Sequence, residues 1–182
     1  IAPEKEIAPL RDAAHTLLNS NPCSRLSIHW ALLCAAYPFW FNVASRIGRL
    51  LNLQDQVTQS QIVLRLKETY GDRQTVSRRA RYVIRSFVNW NVLKDSEVKG
   101  CYEKMAHVDI SDLDLAILLL EAALYASPEG KLALGLLLNN PAFFPFQLPV
   151  MTGDFVSQRT DRIEVVRYGL DDELLRLRGY QS

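Results

Sequence analysis

Residues Val57 to Met105 read VTQSQIVLRLKETYGDRQTVSRRARYVIRSFVNWNVLKDSEVKGCYEKM. Thr58 stands where a helix N-cap belongs, and Ile62, Leu66 and Tyr70 follow at helical spacing, predicting a helix over 59–70. Gly71 supplies the backbone freedom that ends it. A second helix is expected over 76–90, capped by Thr75, with Val76, Ala80, Val83, Ile84, Phe87 and Val88 forming one apolar stripe. Asn91 suits a left-handed stop. Val92 and Leu93 then open a strand, Ser96 to Gly100 make a turn, and Cys101 to Val108 return.

On a wheel of 3.6 residues per turn, the face opposite the stripe carries Arg78, Arg85 and Asn89, flanked by Arg81 and Tyr82. Between Arg65 and Lys104 lie ten basic and five acidic residues, a net of +5, while the remainder of the chain carries −4. No acid occurs between Arg73 and Lys94. A solvated helix face more often mixes the two signs, so a basic stripe on a weakly acidic body points to a polyanion.

This helix, tight turn, arginine-bearing helix and hairpin resemble the winged helix-turn-helix superfamily over residues 57–108. The resemblance implies that the second helix enters the DNA major groove. Arg73, Gln74, Thr75, Ser77, Arg78, Arg81, Tyr82, Arg85 and Asn89 would line the contact, with Lys94 and Lys99 on the wing. Arginine makes bidentate contacts to guanine or phosphate, and asparagine suits adenine. Thr75 and Ser77 lie where helix N–H groups can hold a phosphate. Asp95 and Glu97 on the short hairpin depart from this pattern, since both repel phosphate. Double-stranded DNA is therefore the expected partner, bound by a possible homodimer. The same scaffold also serves protein docking, so an adaptor subunit of a larger complex stays open as the alternative. Its candidate patches are the Phe/Pro segment 141–149 and the aromatic cluster 37–41.

The 182 residues suffice for one well-cored domain or two small ones, and 48% hydrophobic content is ordinary for a globular chain. Cys23, Cys34 and Cys101 fall at spacings that fit neither a disulfide framework nor zinc, so a reducing cytoplasm is expected. No basic segment followed by an apolar run opens the sequence, so no signal peptide is expected. Its start at Ile1 rather than Met leaves room for residues upstream. The apolar run Leu113 to Ala126 is too short for a bilayer, and no membrane association is expected.

Catalysis and cofactors are not expected either. His15, His29 and His107 have no partners at ligand spacing, and His29 reads as an interior histidine. Asp109, Asp112 and Asp114 suit the charge preference of a helix start better than a metal or acid–base cluster. The glycines are isolated, so no phosphate loop forms, and Ser157 lacks a nucleophile-elbow setting.

The rest of the chain reads as helices over 3–18 (with Pro3 near the start), from Ile28 to Tyr37 (capped by Ser27), 39–51, 111–126 (capped by Ser111) and from Pro128 to Leu138. Tyr37, Phe39, Trp40 and Phe41 are expected in the core. Asp154 to Gln158 would pair with Arg162 to Tyr168 as a hairpin, before a terminal helix over 171–178. The expected fold is mainly α with two small β-hairpins. It would comprise an N-terminal helical segment (1–54), a winged helix-turn-helix (55–108) and a C-terminal helical segment (109–182) that packs with the first.

Overall fold

The computed structural model describes residues 7–168 and 172–179. In chain order they form α1 (Ala8–Ser20), α2 (Arg25–Ala36), α3 (Pro38–Leu51), β1 (Gln56–Thr58), α4 (Gln59–Tyr70), α5 (Gln74–Asn89), β2 (Leu93–Asp95), β3 (Cys101–Lys104), β4 (Val108–Asp109), α6 (Leu113–Tyr125), β5 (Lys131–Ala133), α7 (Leu134–Leu138), β6 (Phe146–Gln147), α8 (Gly153–Arg159), β7 (Ile163–Tyr168) and β8 (Asp172–Leu177). The fold is mainly helical with small sheets. The chain divides into two compact units, one of residues 1–38, 109–140 and 148–182, the other of residues 39–108 and 141–147.

In the first unit α6 is the central element. Every residue from Leu115 to Leu124 is buried, because this helix is apolar on all sides and α1, α2 and β8 cover it. Asp112 starts it, its carboxylate accepting from the N–H groups of Asp114 and Leu115 at 3.0 and 3.2 Å. The single buried charge of the helix, Glu121, accepts from Arg162 Nε through both carboxylate oxygens at 2.9 Å. An antiparallel sheet of order β5-β8-β7 closes the unit, with Leu175 and Leu177 of β8 buried at alternate positions.

The second unit contains α3, α4 and α5 and a sheet of order β1-β3-β2. Trp40 of α3, Phe87 of α5 and Phe144 meet in its core: Trp40 and Phe87 stand edge-on at 5.2 Å, Phe87 and Phe144 at 6.0 Å. The return of residues 141–147 is held by a backbone bond from Val108 N–H to Pro145 O, and by Gly48 of α3. A Cβ at Gly48 would fall 1.9 Å from Pro141 O.

Several expectations are corrected. The unit holding α4 and α5 begins at Phe39 rather than 55, because Trp40 packs on Phe87. The hairpin expected after α5 forms as β2 and β3, with β1 added as a third strand, and the sheet of the first unit also has three strands. Residues 153–159 are helical, since Thr152 Oγ1 accepts from Phe155 N–H and starts a turn. β7 instead pairs with β8, so the predicted terminal helix is a strand: pairing with a neighbour overrides the helical propensity of Leu, Glu and Arg. Pro128 to Leu138 is a 3₁₀ turn, β5 and a short α7, because Lys131–Ala133 is drawn into register with β8. Ser24, Arg73 and Asp112 occupy the N-cap positions expected for Ser27, Thr75 and Ser111. His29 is exposed and Tyr37 is half-exposed, lying on the outer side of α2 and at its end. Trp40 is buried as expected, with Phe39 and Phe41 partly so. The predicted helix start at Pro3 lies outside the described residues.

Candidate nucleic-acid interface

Local chemistry sets α4 and α5 in place. Thr58 and Gln61 form a complete capping box at the start of α4: Gln61 N–H donates to Thr58 Oγ1 at 3.1 Å, and Thr58 N–H to Gln61 Oε1 at 2.9 Å. Gly71 closes α4 at φ 79°, its N–H donating to Lys67 O at 2.8 Å. Three residues later α5 begins, and Val76, Ala80, Ile84 and Phe87 bury its apolar stripe. At its end Asn91 takes φ 56°, the left-handed stop read from the sequence.

With that stripe buried, the opposite face of α5 is open. Arg73, Gln74, Thr75, Arg78, Arg81, Tyr82, Arg85 and Asn89 are exposed and Ser77 is partly so. Gln74, Thr75, Ser77, Arg78, Arg81 and Tyr82 line one open concavity of about 440 Å³. Tyr82 presents an aromatic ring, 64% exposed, beside these arginines. Arg79, absent from the sequence-based set, is exposed too. It lies about 100° round the wheel from Arg78, beside the apolar stripe, and the signal for it was its place in the run without acids between Arg73 and Lys94.

Ion pairing separates the basic residues into two groups. Arg85 Nη1 donates to both oxygens of Asp95 at 2.8 Å, and this contact, foremost its hydrogen bond, raises the Arg85 pKa. Lys94 pairs with Glu103 at 2.6 Å. Glu103 also accepts from Gln56 Nε2 at 2.8 Å, and its carboxyl lies below the usual range mainly because of the Lys94 hydrogen bond. Arg65 and Lys67 pair with Glu68 and Asp72. Arg73, Arg78, Arg79 and Arg81 have no carboxylate partner among the described residues. Lys99, on the turn between β2 and β3, is exposed. Lys104 approaches His107, and burial lowers its pKa.

Sequence positions assigned to the second unit hold twelve basic and six acidic residues, a net of +6, against −5 for the first. Four cations without a carboxylate partner among the described residues, Arg73, Arg78, Arg79 and Arg81, fall at the start and in the N-terminal half of α5, where the helix also presents N–H groups without intrahelical partners. In the Phe/Pro segment 141–149, Phe143, Phe144 and Phe146 are buried, and Val150, just beyond it, is exposed.

Among the described residues no group of three or more His, Cys, Asp or Glu side chains is arranged to hold a metal, and no helix is long and apolar enough to cross a membrane. Asp112 caps α6, and Asp114 in its first turn pairs with Arg159 at 3.1 Å. No protein-family model, curated protein or solved structure matches this chain.

Proposed function

We propose that the chain is a DNA-binding protein of winged helix-turn-helix type that lays the N-terminal half of α5 into the major groove and acts by positioning, without catalysis. The observation that carries this reading is the set Arg73, Arg78, Arg79 and Arg81. All four are exposed and lack a carboxylate partner among the described residues, beside neighbours that are paired. The order α3-β1-α4-α5-β2-β3, with β1 joined to the hairpin through β3, supports the winged-helix assignment.

Affinity comes from arginine–phosphate contacts that release counterions, and sequence preference from Arg78 and its neighbours at base edges. Thr75 and Ser77 contribute near the helix start. A homodimer reads two half-sites about 34 Å apart. The cytoplasm is the proposed compartment, in keeping with three free thiols, of which Cys34 is buried and its pKa raised by that burial.

The test is a fluorescence-anisotropy titration of labelled duplex DNA at two salt concentrations, with wild type and an Arg78/Arg79/Arg81→Ala variant. Salt-sensitive binding that the folded variant loses is the expected result, each lost phosphate contact flattening the logarithmic salt slope by about 0.9. Absence of wild-type binding at low salt, or unchanged binding by the variant, overturns the reading.

A further inference from the structure

Resting on that reading, we propose that Asp95 determines how far along α5 the nucleic acid is contacted. By holding Arg85, it confines contact to the first turns of the helix and makes Arg85 a positioning residue rather than a DNA ligand. On the helix wheel Arg85 falls close to Arg78 and would extend the same row by two turns. Its guanidinium instead meets both oxygens of Asp95 at 2.8 Å, which ties α5 to β2. Tyr102 of β3 lies against the same pair and interacts with both charges.

One residue away the arrangement recurs, with Lys94 held by Glu103 and Glu103 braced by Gln56 of β1. Two carboxylates therefore neutralise one cation of the helix, Arg85, and one of the sheet beside it, Lys94. Turning Arg85 toward a phosphate would break a bidentate contact and leave the Asp95 carboxylate facing a polyanion, so the gain of one contact is offset by repulsion. Among the described residues, the N-terminal arginines face no such competitor.

The experiment compares the salt slope of duplex binding for wild type, Arg85→Ala, Asp95→Ala and the double variant, with a thermal melt of each. Arg85→Ala is expected to keep the wild-type slope, with a modest loss of affinity because Asp95 is left without its partner near the polyanion. Asp95→Ala frees Arg85 and steepens the slope by about 0.9, tightening binding at low salt. The double variant returns to the wild-type slope. An Arg85→Ala slope that is flatter than wild type overturns the proposal, because Arg85 then contacts phosphate despite Asp95. An unchanged slope for Asp95→Ala overturns it as well, as does a gain that survives in the double variant. Wild type that does not bind at all defeats the reading of α5 as a DNA face, and the proposal with it. Wild-type binding with any of the other three outcomes defeats the proposal alone.

Discussion

Trp40 of α3 stands edge-on to Phe87 of α5, ring centroids 5.2 Å apart at 88°. Phe87 is fully buried and also meets Trp90 and Phe144. This contact fixes the buried face of α5, and so determines which way its arginines point. Phe87→Ala is expected to cost about 3–5 kcal/mol, through lost burial and the cavity left behind. Chemical denaturation monitored by Trp fluorescence measures it. A cost below about 1 kcal/mol would mean that the aromatic cluster does not orient the helix.

Gly48 is required by a close approach of backbone to backbone. A methyl group there would lie 1.9 Å from Pro141 O and 3.1 Å from Phe144 Cβ. The obstructing atom is a carbonyl oxygen, which cannot swing away as a side chain end does. Gly48→Ala should therefore destabilise by about 1–3 kcal/mol despite the higher helix propensity of alanine. A variant as stable as wild type in urea would refute the close packing of residues 141–147 on α3.

The capping box at Thr58 gives a smaller, cleaner effect. Thr58→Ala removes the acceptor for Gln61 N–H and should cost about 1 kcal/mol, whereas Thr58→Ser, which keeps the oxygen, should cost much less. Equal losses for the two variants would assign the effect to the threonine methyl group instead of the cap.

Glu121 yields a pH dependence. Burial is the largest influence on its carboxyl and raises the pKa above the ordinary 4.5, against the opposing pull of Arg162. The folded state thus holds this proton more tightly than the unfolded chain. The stability it contributes is present below pH 4.5 and falls as pH rises from there to the raised value. Glu121→Gln should flatten that part of the profile of Tm against pH. Arg162→Ala should cost about 3–5 kcal/mol at neutral pH, because it leaves a buried carboxylate unpaired, and less in acid, where the carboxyl is neutral. A loss from Arg162→Ala that does not shrink in acid would show that Glu121 is not the group responsible.

Signals close together in the chain were legible without the structure. Thr58, Gly71, Asn91 and the stripe from Val76 to Phe87 each act within a few residues, and all stand where the pattern placed them. Elements whose conformation depends on distant partners were misread. Residues Asp172–Leu177 are Asp-Glu-Leu-Leu-Arg-Leu, which as an isolated segment favours a helix, yet β5 and β7 pair with it from both sides. Ser27 looked like a cap and is buried inside α2, because the preceding 3₁₀ turn moves the helix start to Arg25.

Helical spacing and charge are local properties of the chain, and they make α5 amphipathic with a basic open face before any packing is known. Which of those charges remain available depends on packing. Arg85 and Arg78 occupy nearly equivalent places on the helix wheel, but Arg85 meets a carboxylate ten residues further on, brought to it by the turn of the chain into β2. Pairing of charges falls steeply with distance through space, and that distance is set by how helix and sheet pack.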